Sequence, residues 1–271
     1  MSDASPHPPA RVLRRVLAMV AVLMCGQLSL PAMAASPTAQ EMLEAADRVR
    51  NPGRPFRLTN TLVEYVEGQP QGRTELLIFA KLDSDTGQFK NLIRFLAPPR
   101  DRGKLMLMEN SRLWFYDGAS KASVRLSLQQ RLMGQSSNGD VLTVNLAKDY
   151  SGTLVGEETI KDSARSDRDC WHLNLTAISE SAVYNRIEYW VERETYNPIK
   201  GIYYSDSGRM LKLVFFRKYQ MQLGNVRPTE TVIIDAIDPK QVTIMTFTDY
   251  RFQDIPEAWF QRDFLPHLEA E

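Results

Sequence analysis

The stretch SRLWFYDGASKASVRLS, residues 111–127, breaks the alternation of apolar and polar side chains that a half-exposed strand shows. Successive side chains of a strand point to opposite faces of its sheet. Leu113 and Phe115 therefore share one face, and Trp114 and Tyr116 share the other. An antiparallel sheet with one face in water carries apolar residues on its other face alone. The segment thus predicts a strand that is covered on both sides.

The neighbouring residues 104–108 repeat this two-sided pattern, with Leu105 and Leu107 on one face and Met106 and Met108 on the other. Each face needs a second sheet, a helix or an apolar ligand to cover it. Two interpretations stay open: a β-sandwich core or curled sheet filled by its own helices, and a half-pipe that takes up acyl chains. In the half-pipe interpretation, each methylene of the acyl chain that is buried contributes ~0.8 kcal/mol to the binding free energy. Flexible methionines can repack around varied ligands.

Most of the chain after residue 55 consists of short strand-like segments separated by residues typical of turns. This spacing predicts an antiparallel meander in a single domain, residues 35–271, that is mainly β with some helix. The predicted strands are Phe56–Val66, Thr74–Leu82, Gln88–Ala97, Lys104–Met108, Arg112–Asp117, Ser123–Leu126, Gly152–Thr159, Asp169–Ala177, Arg186–Glu194, Pro198–Ser205, Met210–Gln220, Thr229–Ile237 and Val242–Phe252.

Helices are predicted in two places. Apolar residues recur at helical spacing over Thr38–Arg50, and Asn51-Pro52-Gly53 stops the pattern. In the middle of the chain, Leu126–Met133 and Val141–Leu146 favour two short helices joined by a polar hinge, Gly134–Gly139. This pair forms either a mobile lid or a helical crossover that plugs one end of the sheet.

The N-terminal residues predict a secretion signal. Arginines between residues 11 and 15 precede the apolar run Val16–Gly26, and Ala32-Met33-Ala34 fits a cleavage site. The apolar run is too short to span a bilayer. We therefore expect cleavage after Ala34, export, and a periplasmic protein.

Two other interpretations of this leader stay open. Lipidation of Cys25 is disfavoured because Met24 is bulky where a small residue is required, and Arg14-Arg15 fits a twin-arginine signal poorly. Once the leader is removed, Cys170 is the remaining cysteine, so we expect a fold without an intramolecular disulfide. The chain has 33 basic and 33 acidic residues, and this balance argues against a nucleic-acid partner.

The sequence gives little sign of catalysis or of a cofactor site. It contains no HExxH motif, no paired-cysteine motif and no glycine-rich phosphate loop. Cys170 and His172 could be a nucleophile and its base, but a strand places them opposite Trp171, on the face that we expect to be wetter and to offer no orienting partner. Glu157 and Glu158 are adjacent and point to opposite faces, which favours solvated carboxylates. We therefore expect no enzyme, no metal and no cofactor.

With these elements in place, the chain resembles the periplasmic lipoprotein-sorting carriers of the LolA/LolB-like superfamily. Leu113-Trp114-Phe115-Tyr116 is similar to a strand that precedes the lid helices of those carriers. NLIRFLAPPRDRGKLML, residues 91–107, is similar to a branch of outer-membrane lipoprotein-sorting proteins, and Met133-Gly134 before a polar loop also fits it. The R-F-x-x-P…D-x-G segment of that branch is matched by Arg94, Phe95, Pro98, Asp101 and Gly103. The resemblance covers Gln40–Leu268.

This resemblance implies a strongly curved antiparallel half-barrel of about 11 to 12 strands, closed by the N-terminal helix and short lid helices. It also implies an apolar cavity that carries acyl chains of lipoproteins or other lipids between the inner and outer membranes. The implied partners are that cargo, an inner-membrane transporter and an outer-membrane acceptor, with the carrier a monomer. The gating arginine of the best-known carriers has no direct match, and Arg94 is a candidate by proximity. The candidate cavity residues are Arg94, Leu105, Met106, Leu107, Met108, Trp114, Phe115, Tyr116, Met133, Val141 and Leu142.

Two other functions remain as alternatives. One is a non-enzymatic periplasmic adaptor of an envelope export system, whose cavity is filled by its own side chains and which docks a transporter through a sheet edge or loop. The other is a lipid-modifying hydrolase, which would depend on Cys170 or His172.

Overall fold

The computed structural model describes residues 36–109 and 111–270, with side chains described as far as Leu268. The predicted signal peptide, its cleavage site after Ala34 and Cys25 lie outside these residues. Helix α1 (Ala39–Arg50) begins where the sequence predicts. Thr38 caps it, because the Thr38 hydroxyl accepts from the Glu41 amide while the Glu41 carboxylate accepts from the Thr38 amide.

The described residues form fifteen strands, two α-helices and four 3-10 helices. The strands are β1 (Phe56–Val66), β2 (Gln69–Leu82), β3 (Phe89–Ala97), β4 (Leu105–Glu109), β5 (Arg112–Asp117), β6 (Ala122–Leu126), β7 (Arg131–Met133), β8 (Ser136–Ser137), β9 (Tyr150–Lys161), β10 (Asp167–Ala177), β11 (Arg186–Glu192), β12 (Pro198–Tyr204), β13 (Met210–Gln222), β14 (Asn225–Asp235) and β15 (Gln241–Phe252). The second α-helix is α2 (Leu146–Asp149), and the 3-10 helices are Pro99–Asp101, Asn138–Val141, Glu257–Phe260 and Arg262–Ala270.

Thirteen of these strands form one antiparallel sheet in the order β6-β5-β4-β3-β2-β1-β15-β14-β13-β12-β11-β10-β9. Neighbours in the sheet are neighbours in the chain, except that β1 pairs with β15. This confirms the predicted meander, and each predicted segment corresponds to one strand of this sheet, although the expected total of about 11 to 12 strands falls short of the thirteen observed. The ends of the sheet, β6 and β9, do not pair with each other, so the barrel stays open.

The inner face of the sheet encloses the main apolar core. One cluster of buried side chains contains Leu113 from β5 and Leu173 from β10, strands near opposite ends of the sheet, together with Leu43 and Ala46 from α1. A sheet whose distant strands share one core is curled around it. The fold is therefore mainly β, a curved and unclosed sheet with few helices.

The segment between β6 and β9, residues 127–149, is here called the strap. It was predicted as two helices, but Leu126 ends β6, and Arg131–Met133 and Ser136–Ser137 pair as a two-stranded hairpin. The apolar spacing was misleading because Leu128, Leu132 and Met133 pack onto the core from an irregular backbone. Within Val141–Leu146 the 3-10 helix Asn138–Val141 ends and only the four-residue α2 begins.

A second apolar cluster covers the outer face of β2–β5. Leu105, Leu107 and Tyr116 pack there against side chains that follow β15, including Phe260 and Leu265. The inner side of the same strands faces the main core through Met106, Met108 and Leu113. This explains the two-sided pattern of residues 104–117: the sheet core covers one face and the C-terminal segment 255–268 covers the other.

The outer face of β10 and β11 differs from the prediction. Trp171 and Leu173 point inward as expected, but Cys170 is completely buried among Trp190 and Ile199 instead of lying on a wet surface. The His172 ring stacks on Trp190 with a centroid distance of 4.2 Å. The prediction that Cys170 is wet was wrong because outer-face side chains cover this part of the sheet. None of the helices in the described part of the chain is long and apolar enough to cross a bilayer.

Candidate functional site: a strap-covered apolar cavity

A cavity of about 150 Å³ lies between the inner face of the sheet and the strap. Its walls come from α1, from strands β1, β2 and β11–β15, from the strap and from the loop that precedes β11. The lining side chains are mostly apolar or aromatic, and include Phe56, Leu58, Ile78, Val141, Leu142, Val183, Tyr184, Ile187, Tyr203, Val214, Phe216, Ile233, Met245, Phe247 and Tyr250.

The size of the cavity limits what it can hold in this conformation. A buried apolar cavity of ~150 Å³ accepts a ligand the size of benzene, whereas pockets for larger small molecules occupy ~300–1,000 Å³. The present volume of about 150 Å³ thus holds a fragment of an acyl chain. A whole chain requires the strap to move or side chains to repack.

One end of the cavity reaches the surface beside the C-terminus of α1. Arg50, Asn51, Phe247 and Tyr250 line the cavity there and are partly exposed. We call this end the mouth. The strap hairpin is held to the sheet separately, because the backbone amide of Gln135 donates to the Thr243 hydroxyl at 2.7 Å.

The mouth side of the strap is held by α1. Arg50 Nη2 and Asn51 Nδ2 each donate to the carbonyl of Val144 at 2.8 Å. The Asp47 carboxylate accepts from the amide of Ala147 at 2.8 Å and pairs with Arg50 at 3.1 Å. Polar side chains of the helix thereby satisfy backbone groups of the strap that would otherwise be buried without partners.

Strand β3 holds the same part of the strap from the other side. Asn91, which is completely buried, donates from Nδ2 to the carbonyl of Thr143 at 2.9 Å and accepts at Oδ1 from the Thr143 amide at 2.8 Å. The Asn91 carboxamide thus satisfies both backbone groups of Thr143, as a neighbouring strand would do in a sheet. A buried amide with both ends satisfied specifies the position of the strap.

A buried ion pair holds the strap to the far wall. Lys212 on β13 contacts Asp140 in the strap, and Tyr184 donates its hydroxyl to Asp140 at 2.9 Å. The Ser137 amide also donates to Asp140, at 2.7 Å. Burial lowers the pKa of Lys212 against the opposing influence of Asp140, and burial raises the pKa of Tyr184. These groups lie at the cavity wall, where Asp140 and Tyr184 line it.

The structure distributes the predicted cavity residues over three environments. Val141 and Leu142 line the cavity. Met106, Met108 and Phe115 face the inner core without lining the cavity, and Met133 packs the strap hairpin onto the same core. The remaining candidates, Arg94, Leu105, Leu107, Trp114 and Tyr116, lie on the outer face beside the C-terminal segment.

Among the described residues, Arg94 makes no hydrogen bond to the strap; it donates from Nη2 to the carbonyl of Leu268 at 2.6 Å. The arginine that does contact the strap is Arg50, which the sequence prediction missed. Its only sequence signal was its position in the last turn of a predicted helix, just before Asn51. The tyrosines at positions 184, 203 and 250 lie far apart in the chain, and no local pattern in the sequence joins them.

The outer face does not assemble a nucleophile. Burial raises the pKa of the Cys170 thiol to about 12, and the neighbouring Glu192 acts in the same direction, whereas a reactive cysteine needs a depressed pKa. His172 does have a carboxylate neighbour, contrary to the prediction, because its Nδ1 lies 3.2 Å from Glu158; its Nε2 is 3.6 Å from Glu188 and makes no hydrogen bond among the described residues. Within the described residues, no group of three or more His, Cys, Asp or Glu side chains could hold a metal ion.

Known proteins share this architecture. A family model described as an uncharacterized protein matches residues 87–267. No curated protein matches the chain significantly. Two solved structures share the fold at low sequence identity. A DUF1329 family protein from Desulfovibrio piger has 19% identity and a TM-score of 0.70, with 85% of this chain and 100% of that chain covered. A domain described as an outer membrane lipoprotein-sorting protein, from Vibrio parahaemolyticus, has 18% identity and a TM-score of 0.70, with coverage of 84% and 98%.

A further solved structure is similar in sequence as well as in fold. It is a LolA superfamily protein from Nitrosomonas europaea, with 30% identity and a TM-score of 0.75. The match covers 84% of this chain and 100% of that protein. The resemblance inferred from the sequence is therefore confirmed, and this chain belongs to the LolA superfamily.

Proposed function

We propose that this protein is a periplasmic carrier that binds acyl chains of lipoproteins or other lipids in the strap-covered cavity and moves them between the inner and outer membranes. The observation that carries this proposal is the apolar cavity on the inner face of the sheet, closed by a segment that polar contacts hold in place. Membership of the LolA superfamily supports it.

The way the strap is held suits repeated opening. On the mouth side its contacts are hydrogen bonds from Arg50, Asn51 and Asn91 to backbone groups at Thr143 and Val144. If water reaches these groups as the strap moves, replacing each neutral hydrogen bond costs about 0.5–1.5 kcal/mol, and replacing the one from the charged Arg50 about 1.5–3 kcal/mol. Movement of the strap would enlarge the cavity from its present volume and admit a chain. A ligand that binds the open form more tightly than the closed form would hold it open.

The adaptor function is a second candidate, and the small cavity favours it. A volume of about 150 Å³ is small for a whole acyl chain, which suits an inner space filled by the protein's own side chains. An adaptor would keep this closed conformation and contribute only its surface to a transporter complex. A carrier must open.

Direct binding separates these functions. Protein purified from its native envelope would be examined by native mass spectrometry, and binding of a fluorescent fatty acid would be titrated. A carrier yields a co-purifying lipid or saturable binding. Protein that purifies without lipid and shows neither saturable binding nor a thermal shift with acyl ligands would overturn the carrier function.

A matched pair of variants places the binding in this cavity. Val214 lines the cavity and is almost completely buried, whereas Leu213, next to it on β13, points to the opposite face. Val214→Trp fills the cavity and should weaken acyl binding at least tenfold. Leu213→Trp adds the same side chain outside the cavity and should leave binding within twofold of the parent protein. Equal loss in both variants would contradict binding at this cavity.

A further inference from the structure

Two arginines meet where α1 ends at the mouth of the cavity. Arg227 on β14 is completely buried and donates from Nη1 to the carbonyl of Arg50 at 3.0 Å. Its Nε donates to the carbonyl of Gln222 at 3.0 Å. The side chain of Arg50 is itself only 18% exposed and lines the cavity.

The charges at this place do not balance. Asp47 pairs with Arg50, and among the described residues no salt bridge joins Arg227 to any carboxylate. The last carbonyl groups of α1 offset part of the Arg227 charge, as the C-terminus of a helix does for a cation. Burial lowers the pKa of Arg227. Among the described residues, Arg50 thus has Asp47 as its counter-charge, whereas the buried guanidinium group of Arg227 has no carboxylate partner.

Three buried donors here have no partner in the structure: Nε of Arg50, Nη2 of Arg227 and the hydroxyl of Tyr189. Tyr189 is completely buried, and its hydroxyl is close enough to Arg50 for an electrostatic interaction. Guanidinium groups are donors only, and leaving such a group unsatisfied costs about 1–3 kcal/mol or more. What this set lacks is an acceptor, preferably one with negative charge.

Of these three donors, Arg50 lines the cavity, Arg227 donates to the carbonyl of Arg50, and Tyr189 lies within electrostatic reach of Arg50. Pro228, next to Arg227, lines the cavity, and so does Tyr250, which interacts electrostatically with Arg227. From this point the apolar wall continues inward along Phe56, Leu58 and Ile78. A cationic group therefore lies at the entrance, with apolar surface behind it. This distribution of charge and apolar surface suits an amphiphile with an anionic headgroup.

We propose that the cavity selects single-chain amphiphiles whose anionic headgroup, a carboxylate or a phosphate, binds Arg50 and Arg227 at the mouth while the chain occupies the apolar interior. The proposal rests on the acyl-binding function and narrows its ligand class. The acyl groups of a lipoprotein are neutral esters and amides, so they would leave these donors without a charged acceptor.

The test compares four ligands of equal chain length by isothermal titration: palmitate, hexadecyl phosphate, hexadecanol and hexadecyltrimethylammonium. We expect at least one of the two anions to bind ten times more tightly than hexadecanol, and the cation to bind more weakly than hexadecanol. Preference for palmitate would assign the head to a fatty acid, and preference for hexadecyl phosphate to a single-chain phosphate ester such as a lysophospholipid. Equal binding of anions and hexadecanol would overturn this inference and leave the carrier function standing. No binding of any ligand would overturn both.

Three variants test whether the buried donors of Arg227 and Tyr189 cause the preference for an anionic headgroup. Tyr189→Phe removes a hydroxyl without a partner and should keep the fold while reducing the preference for the anion at least threefold. Arg227→Met should abolish the preference. Arg54→Met is the matched control, because Arg54 is exposed near the mouth and contacts the ring of Phe252; it should keep the preference. If Arg227→Met fails to fold, Tyr189→Phe decides, and an unchanged preference in that variant would overturn the proposal.

Discussion

Lys212 and Asp140 form a buried ion pair that joins the sheet to the strap. Lys212 is 4% exposed, and its ammonium group also lies 4.6 Å from the centre of the Tyr184 ring. Asp140 accepts from Tyr184 and from the Ser137 amide in addition to Lys212. The pair stands at the cavity wall, so the position of the strap and the integrity of the cavity depend on the same two charges.

Replacing Asp140 by Asn should destabilise the protein and loosen the strap. The variant leaves Lys212 buried without a counter-charge, and breaking a buried ion pair in this way costs about 3–5 kcal/mol. Chemical denaturation should show a loss of about 3 kcal/mol, and hydrogen exchange of residues 131–141 should accelerate. Asp167→Asn is the control, because its partner Lys161 and Asp167 are both more than 60% exposed and such pairs contribute less than about 1 kcal/mol. Equal losses in the two variants would contradict the role of the buried pair.

Gly139→Ala should push the strap away from the cavity wall. A Cβ at Gly139 would lie 2.4 Å from Cγ2 and 2.7 Å from Cγ1 of Val183, which is far inside van der Waals contact. Overpacking of this kind costs about 1–3 kcal/mol. If strap movement admits ligand, stopped-flow mixing with a fluorescent fatty acid should show faster uptake.

The control for this variant is Gly156→Ala, since a Cβ at Gly156 meets no atom within 4 Å. It should change neither stability nor uptake by more than a small amount. Uptake that is unchanged in Gly139→Ala despite reduced stability would show that the strap does not limit ligand entry.

Cys170 should resist thiol reagents in the folded protein. Its side chain is completely buried, and desolvation raises its pKa to about 12, so the reactive thiolate is scarce at pH 8. In a Cys25→Ser background, labelling by a maleimide at pH 8 should proceed at the rate of global unfolding and become rapid in denaturant. Rapid labelling of the native protein would show that the outer face of β10 opens locally.

Acidification should slightly weaken the attachment of the C-terminal segment to the outer face of the sheet. Hydrogen bonds from Lys90 and Lys81 lower the pKa of Glu257, and the Lys81 contact measures 3.0 Å. A carboxylate with a depressed folded-state pKa stabilises the attached state above its unfolded pKa of ~4.3, and this contribution is lost as the pH falls through the folded value. Limited proteolysis at residues 253–268 should therefore increase below about pH 4.

Glu257→Gln should remove this pH dependence and resemble the acidified parent protein at neutral pH. The effect should be small and weaken in high salt, because Glu257 is 53% exposed. Acid-induced cleavage that persists unchanged in Glu257→Gln would assign it to another group.

Much of the fold could be predicted from local sequence because its elements are local. The turn residues and the spacing of β-forming segments located thirteen strands of the sheet, and Thr38 and Glu41 marked the start of α1. Antiparallel neighbours that follow one another in the chain need only short turns, which leave a clear signature. The pairing of β1 with β15 left no such signature, since it joins residues far apart in the chain.

The strap shows why apolar periodicity can mislead. Leu128, Leu132 and Met133 have spacing that suits a helix, yet they pack onto the core, Leu128 fully and the other two partly buried, from a hairpin and the bends before it. Gly134 adopts a φ of +53° in the turn of this hairpin, close to Thr243 and Glu64. Contacts with a surface that lies elsewhere in the chain overrode the local preference.

The sequence by itself determined that residues 104–117 form strands with apolar side chains on both faces, because alternation along a strand is a local property. Only the tertiary structure decided which face of these strands packs on the inner core and which packs on the C-terminal segment. Met106, Met108, Leu113 and Phe115 turn to the inner core, while Leu105, Leu107, Trp114 and Tyr116 meet the C-terminal segment. The side of a sheet that becomes concave depends on the curl of all thirteen strands and on the distant segments that cover them. No single segment encodes that choice, and so the cavity and its charged mouth, built by Arg50 and Arg227 from opposite ends of the chain, became visible only in the folded molecule.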